Sequence, residues 1–511
     1  MYNLRMVLLS DRERTFFSAI SKLAFCNPFL PDRTEYEKQA LQRHYVPSGL
    51  VWSASVTAPD AASPNVVRVH QRLEALIPEV HQRLNAGAEA TSEELGMYQD
   101  CAQYLLYQRN HPDFVRATAS KGNWRFYQKF AEDWDHFLLI GGKPIANSPE
   151  PAHVFACFRQ FQLAFGLIFD HIIGNSMPAA RLRASAWQSV FTHDLRRYHR
   201  VLFTRLHDFP TLITGPSGTG KELVARAIAG SRYVPFDPQS MRFQEAQTET
   251  FLPMNLAALS PALIESELFG HKRGSFTGAI GDRQGWLETC PATGSVFLDE
   301  LGEMELSIQV KLLRVIETRR FFMVGDTAPR LFAGKLIAAT NRDLAAEIRT
   351  GRFREDLYYR LCADQIQTPS LREQVEDSPE VLDDLILFMV RRAVGDEAER
   401  CFPEVREWIA GHLPAGYLWP GNYRELEQCV RNVIIRRSYQ PVAQEESAGG
   451  LQDPIISRLR NGELTMDELT SYYAALVYRK TASYEETARR LEVDRRTVKA
   501  KVEAFLAAAA K

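Results

Sequence analysis

The stretch LITGPSGTGKELVARAI, residues 212–228, decides how the middle of the chain is read. A short apolar run ends at a glycine, and Gly215, Gly220 and Lys221 fit the spacing G-x-x-x-x-G-K. A run of good helix formers comes next. A strand, a glycine-rich turn and a helix in that order form a phosphate-binding loop. The glycines let backbone N–H groups wrap an anion, and the helix N-terminus adds partial positive charge. Lys221 would neutralise the outer phosphates. The binding set is Gly215, Pro216, Ser217, Gly218, Thr219, Gly220 and Lys221, with Glu222 and Leu223 after it. Glu222 stands where the general motif has the Ser or Thr that helps hold Mg²⁺.

Further motifs along the chain supply the acids and cations that phosphate chemistry needs. GSVFLDELGE, residues 294–303, is an apolar strand ending in Asp299 and Glu300. Asp299 would hold Mg²⁺, and Glu300 would polarise a water for in-line attack. KLIAATNRDL, residues 335–344, is another strand, and it puts Thr340 and Asn341 at its end. GRFREDLYYRL, residues 351–361, carries Arg352, Arg354 and Arg360. These are either a solvated helix face or cations that reach a neighbouring subunit's nucleotide. WPGNYRELEQCVRNVI, residues 419–434, opens as a turn and continues as a helix. Arg424 lies in the first turn of that helix, where the dipole disfavours a cation, so an anion is expected nearby.

Composition sets the frame. The chain has 511 residues, 45% hydrophobic and 24% charged, with a net charge of −2. That suits about three domains of a globular protein. It excludes wholesale nucleic-acid or membrane binding and leaves room only for local patches. The seven cysteines form no CxxC pair, which argues against a zinc site or disulfide framework and fits a reducing cytosol. HVFACFRQFQLAFGLIFDHII, residues 153–173, is the most apolar stretch but contains Arg159, Gln160 and Gln162. It reads as an amphipathic helix of a core or dimer interface, not as a membrane span.

Residues 1–171 read as mostly helical and aromatic-rich, and nothing in them names a ligand. VLLSD at 7–11 looks like the first strand of a receiver domain. The acidic cluster, phosphoacceptor and lysine of a receiver cannot be placed, so that reading is rejected. SYQPVAQEESAGGLQDP, residues 438–454, reads as part of a linker. The last zone turns basic, with nine Lys/Arg against five Asp/Glu between Arg479 and Lys511, about +4. SYEETARRL, the turn EVD and RRTVKAKVEAFL suit a helix-turn-helix. Ala488, Leu491, Val493, Val498 and Val502 are its expected core. Arg495, Arg496, Thr497, Lys499 and Lys501 form its expected DNA face.

One loop stands apart. GSFTGA, Gly274 to Ala279, sets Phe276 and Thr277 between two glycines. On spacing alone it is a turn with the Phe folded inward. Taken together, however, GPSGTGKELVARAI, ESELFGHKRGSFTGA, GSVFLDELGE, AATNRDL, FREDLYYRL and WPGNYRELE, in this order, resemble the AAA+ domain of bacterial enhancer-binding proteins. These are the activators of sigma-54 RNA polymerase. The likeness covers about half the chain. It implies that Gly274, Ser275, Phe276, Thr277, Gly278 and Ala279 form the loop that grips sigma-54. It also implies that Asp299 and Glu300 are the Walker B pair, Thr340 and Asn341 sensor I, Arg354 and Arg360 inter-subunit fingers, and Arg424 sensor II. Asn255 matches the residue that restrains the catalytic Glu.

The resemblance implies ATP and Mg²⁺ as cofactors and a homo-oligomeric ring, a hexamer, in the cytoplasm. Its implied partners are sigma-54 holoenzyme and an upstream double-stranded DNA site, with no membrane. The expected architecture is a mostly helical regulatory domain (1–171), an α/β AAA+ P-loop subdomain (172–370) and a helical lid (371–437). A linker (438–462) and an all-α helix-turn-helix of the Fis type (463–511) complete it. The alternative is a DNA-binding regulator whose P-loop domain only senses nucleotide and oligomerises. In the family Glu222 is usual, but Ser275 replaces the common Ala, a change expected to be tolerated in an exposed loop. Two segments, 181–206 and 230–250, are longer than usual and are expected to be loop elaborations or packed extra helices.

Overall fold

Alternation along short strands sets the two faces of a central sheet. The structure, a computed structural model, describes residues 7–47, 63–119, 122, 124–145, 148–245, 249–414, 416–441 and 464–509. Five strands pair in parallel: β1 (Thr211–Thr214), β2 (Phe251–Asn255), β3 (Ser295–Asp299), β4 (Lys335–Thr340) and β5 (Asp364–Gln367), in the order β5-β1-β4-β3-β2. Successive side chains of a strand point to opposite faces. Leu212, Val296, Leu298, Leu336 and Ala338 pack into one core with the helices Pro261–Phe269 and Leu306–Thr318. Ile213, Phe297, Ile337 and Ala339 pack into another on the opposite face.

That second core is shared with the N-terminal region. The region's helices are α1 (Asp11–Phe25), α2 (Asp32–Leu41), α3 (Pro64–Asn85), α4 (Ser92–Ala119), α5 (Tyr127–Leu138) and α6 (Pro151–His171). Helix α7 (Met177–Phe191) and the helix after the glycine loop, α8 (Lys221–Gly230), come next. Ala164 and Ile168 of α6, with Phe29, join Trp187, Val224 and Ile228 against the sheet. The N-terminal half of α6 puts Val154, Phe155 and Phe158 into a separate aromatic core with α1 to α5. Among the described helices, α6 alone is long and apolar enough to span a membrane, and it is spent on these two cores. Ser10 and Glu13 of the VLLSD stretch and its continuation form a capping box that starts α1.

Residues 1–438 form one compact unit. It closes with three helices, α9 (Val381–Val394), α10 (Ala398–His412) and α11 (Asn422–Arg436). The long segment 181–206 is the rest of α7 plus short helical turns. The described part of the long segment 230–250 holds a hairpin and not a further helix beyond the end of α8: Phe236–Asp237 pairs with Arg242–Phe243. Of the linker expected at 438–462, residues 442–462 lie outside the described residues. Among its described residues the second unit holds three helices, α12 (Met466–Thr481), α13 (Tyr484–Leu491) and α14 (Arg495–Ala509). Ala474, Val498 and Val502 form its core with Tyr478, Tyr484, Ala488 and Leu491. Val493, expected in that core, is 44% exposed, because the turn begins at Glu492 in a left-handed conformation (φ 54°).

Candidate nucleotide site

Parallel strands present their carboxyl ends along one edge, which is where chemistry collects in such sheets. Thr340 of β4 and Gln367 of β5 are both in register with Thr214 of β1, and Asn255 of β2 is in register with Asp299 of β3. A cavity of about 410 Å³ opens at this edge. Its lining combines residues 217–222, Asp299, Glu300 and Arg424 with the apolar Ile172, Ile173, Leu182 and Phe388.

The glycine loop is held from both sides. Lys221 is buried and donates to the carbonyls of Gly215 and Pro216, both at 3.0 Å. Burial lowers its pKa, and the nearby Glu300 and Asp299 oppose that shift. Burial raises the pKa of Asp299, and the Glu300 N–H donating to its Oδ1 at 3.0 Å acts the other way. A half-buried carboxylate beside a glycine loop fits a Mg²⁺ ion, which is typically held by one or two carboxylates plus phosphate. Glu300 has a left-handed backbone (φ 55°, ψ 47°), a strained state for a non-glycine residue that concentrates at functional sites.

From the lid, the first turn of α11 docks on the loop. Asn422 Nδ2 donates to the Ser217 carbonyl at 2.9 Å, and the Tyr423 N–H to the Gly218 carbonyl at 3.0 Å. Arg424 Nη1 donates to Ser217 Oγ at 3.3 Å. Gly218 admits this approach: a Cβ there would lie 2.3 Å from the Gly421 carbonyl oxygen. The first-turn cation expected from the sequence therefore faces the glycine loop.

Not every expected residue converges. Thr340 is buried at the strand end, and its Oγ1 accepts from the Arg342 N–H at 3.1 Å; Asn341 is exposed. Asn255 sits beside Asp299, yet its Oδ1 accepts from the Ala257 N–H at 2.9 Å. Arg354, half-buried, and Arg360, exposed, lie outside the cavity and pair with Asp356 (2.7 Å) and Glu317 (3.2 Å).

The loop of Gly274 to Ala279 caps a hairpin, Gly270–His271 with Arg283–Gln284. Asp282 closes it, accepting from Lys272 Nζ at 2.7 Å and the Arg273 N–H at 2.8 Å. Gly274 and Gly278 flank the tip with φ of 78° and 103°. Phe276 is 43% exposed, its ring edge-on to His271 at 4.9 Å, and Thr277 is exposed. Sequence reasoning missed two features. Ile280, 88% exposed, extends the apolar tip. A second hairpin, Arg320–Phe321 with Arg330–Leu331, runs alongside: the Lys272 N–H donates to the Val324 carbonyl at 3.0 Å, and the Val324 N–H to the Gly270 carbonyl at 2.9 Å. Its turn signal, Gly325-Asp326, was present in the sequence. Ser275 is a correction. It does not stand free in an exposed loop: its Oγ is buried against this second hairpin and has no hydrogen-bond partner among the described residues.

In the second unit, Arg495, Arg496, Thr497 and Lys499 are exposed at the start of α14. Arg495 pairs with Glu485 at 3.0 Å, and Lys499 with Glu503 at 3.7 Å. Lys501 is tied to Asp467 of α12.

Known proteins share much of this chain. Residues 189–367 match the family model of the sigma-54 interaction domain. The chain is 36% identical to the transcriptional regulatory protein ZraR of Klebsiella oxytoca over 357 residues, covering 68% of this chain and 75% of that protein. It is 38% identical to the DNA-binding transcriptional regulator NtrC of Azospirillum brasilense, covering 56% of this chain and 57% of that protein. It is 38% identical to the luminescence regulatory protein LuxO of Vibrio campbellii, over 48% of this chain and 50% of that protein. Among solved structures, NtrX of Brucella abortus in complex with ATP aligns at a TM-score of 0.39 and 21% identity. That alignment covers 71% of this chain and 76% of NtrX, a superposition too loose to carry an argument.

Proposed function

Since the chain belongs to the sigma-54-dependent transcriptional activators, we propose that it is a ring-forming ATPase that remodels sigma-54 RNA polymerase holoenzyme from an upstream DNA site. The observation that carries this reading is the convergence of Lys221, Asp299, Glu300 and Arg424 on one cavity. Lys221 now bonds to carbonyls of its own loop; phosphate oxygens are stronger acceptors and would take those donors. Arg424, set across Ser217, meets the phosphates from the lid side. Asp299 would hold Mg²⁺, which when bound supplies charge neutralisation at the β- and γ-phosphate oxygens. Glu300 orients the attacking water and accepts its proton.

Arg354 and Arg360 complete the site of a neighbouring subunit, exchanging their exposed carboxylate partners for phosphate. Hydrolysis then depends on assembly into a hexamer. Asn255, beside Asp299 and one residue from Glu300 in register, reports the phosphate state. Phe276 and Thr277 pass the movement to sigma-54, with the second hairpin as support. Helices α13 and α14 act as a helix-turn-helix, with Arg495, Arg496 and Thr497 entering the major groove, Lys499 on phosphate and Lys501 at the edge of that surface. The protein works in the cytoplasm as a homo-oligomer.

Glu300→Gln tests the proposal. ATP binding should survive, with turnover reduced at least about 100-fold and activation of a sigma-54 promoter lost. Promoter activation that persists in this variant would refute ATP-driven remodelling and leave the nucleotide-sensing scaffold.

A further inference from the structure

The lining of the nucleotide cavity falls into two chemically different sets, one polar and one apolar. The polar set suits phosphates, which leaves the apolar set, Ile172, Ile173, Leu182 and Phe388, for the flat, weakly polar base. Ile172 and Ile173 belong to the non-helical segment 172–176, which joins α6 to α7. A buried irregular segment needs donors for its carbonyls. Ser176 caps α7, accepting from the Ala179 N–H. Two carbonyls of the segment are met by one side chain. Arg183, in the second turn of α7, points back along the segment: Nε donates to the Ile172 carbonyl at 2.8 Å and Nη2 to the Gly174 carbonyl at 2.6 Å. Its guanidinium also lies over the Phe169 ring of α6 at 4.9 Å.

Arg183 is 1% exposed, the largest fully buried side chain among the described residues, and does not line the cavity. Burying a guanidinium is costly unless its donors are used. Burial lowers its pKa to about 10, so it stays charged at neutral pH. The planar fork spans two carbonyls at fixed separation, which a lysine ammonium cannot do with the same geometry.

We infer that Arg183 is a positioning residue for the base-binding wall, setting affinity for the nucleoside part of the ligand and not for its phosphates. This rests on the reading of the cavity as an ATP site. The segment it holds is the direct continuation of α6, whose other end lies in the N-terminal aromatic core. Arg183 thus sits between that region and the cavity.

The test uses the full chain with Arg183→Lys and Arg183→Gln, each checked for folding by its thermal transition without nucleotide. Binding of ATP and of inorganic tripolyphosphate, which lacks a base, is measured by calorimetry. Arg183→Lys should weaken ATP about tenfold, consistent with losing part of a charged hydrogen-bond pair. Arg183→Gln should weaken it further. Tripolyphosphate affinity and the turnover rate at saturating ATP should hold within about twofold for both. Unchanged ATP affinity in a folded variant, or equal loss of both ligands, would overturn the assignment. If the unaltered chain bound tripolyphosphate but showed no preference for ATP, the nucleotide reading itself would fall.

Discussion

Two hairpins grow from the same α/β body and use their aromatic residues in opposite ways. The first, Phe236–Asp237 with Arg242–Phe243, turns inward. Phe236 packs on Tyr127 (ring centroids 4.7 Å apart) and Phe155 (4.8 Å), and Phe243 meets Trp124 at 4.8 Å. Arg159 lies over the Phe243 ring at 4.2 Å and is ion-paired with Glu245. The second, Gly270–His271 with Arg283–Gln284, turns outward and leaves Phe276 half in solvent and Ile280 almost wholly so. The first hairpin therefore ties the α/β body to the N-terminal region, and the second leaves apolar surface exposed. An aromatic in a loop carries no meaning of its own; what it packs against decides whether it is a fastener or a probe.

The largest expected effect breaks this comparison most directly. Phe236→Ala empties a 6% exposed site at the join of two regions and should cost roughly 3–5 kcal/mol. Phe276→Ala removes a ring that is 43% exposed and should cost under about 1 kcal/mol. Urea denaturation of both variants measures the difference. Equal losses would mean that the second hairpin is as structural as the first. Thr277→Ala sharpens the contrast: stability and ATP turnover should be unchanged while activation of a sigma-54 promoter is lost.

A smaller effect tests how the outward hairpin is braced. Gly325, in the neighbouring hairpin, has φ 79°, and a Cβ there would lie 2.7 Å from Ser275 Cβ. Gly325→Ala should cost roughly 1–2 kcal/mol for its backbone alone, with more from the clash. Adding Ser275→Gly should return the second part only. Full recovery in the double variant would show that the left-handed backbone is without cost there.

These two hairpins also show what the sequence could and could not disclose. The glycine loop, Asp299-Glu300 and Arg424 were legible because each motif is a few consecutive residues whose chemistry depends on local geometry. The hairpin at 230–250 was not, since its partners Trp124, Tyr127 and Phe155 lie about a hundred residues upstream. Ser275 was misjudged for the same reason: the hairpin that buries its hydroxyl is fifty residues downstream. Lys501 looked like any solvent-facing lysine of a basic helix until Asp467 of α12 was placed beside it. Local signals name the elements; only the assembled packing says which polar atoms remain free.

The buried hydroxyl gives a third, weaker test. Ser275 Oγ has no partner among the described residues, and leaving such a group unpaired costs about 1–3 kcal/mol. Ser275→Ala should stabilise the loop in this arrangement by up to about 1 kcal/mol, part of that cost being offset by lost contacts. The Ser275 amide donates to the Lys272 carbonyl at 3.2 Å, so its hydrogen exchange should slow up to about fivefold. Faster exchange in the alanine variant would mean the hydroxyl is supporting the loop.

The smallest effect is electrostatic, and it separates the hairpins by pH. Lys272 holds the carboxyl of Asp282 below its usual value, helped by the Arg273 N–H, and Asp282 raises the pKa of Lys272 in turn. In the inward hairpin, Ser240 and then the Gln239 N–H lower the pKa of Asp237, with no lysine involved. A depressed carboxyl stabilises above its unfolded pKa, near about 3.9, and that contribution is lost as pH falls through the folded value. A raised lysine stabilises below its unfolded pKa, near about 10.4, and that contribution is lost as pH rises through its folded value. The outward hairpin should therefore loosen at both extremes, and the inward one only in acid, where its aromatic packing still holds it. These groups are in contact with solvent, so the shifts should shrink as salt screens them over a Debye length of about 10 Å at 0.1 M. Exchange of the Arg273 and Gln239 amides, corrected for the intrinsic pH dependence, reads both sites at once. Lys272→Gln should flatten the alkaline limb at Arg273 and leave Gln239 untouched. An alkaline loss that survives this substitution would place the hold on the loop elsewhere, in the backbone bonds to Val324.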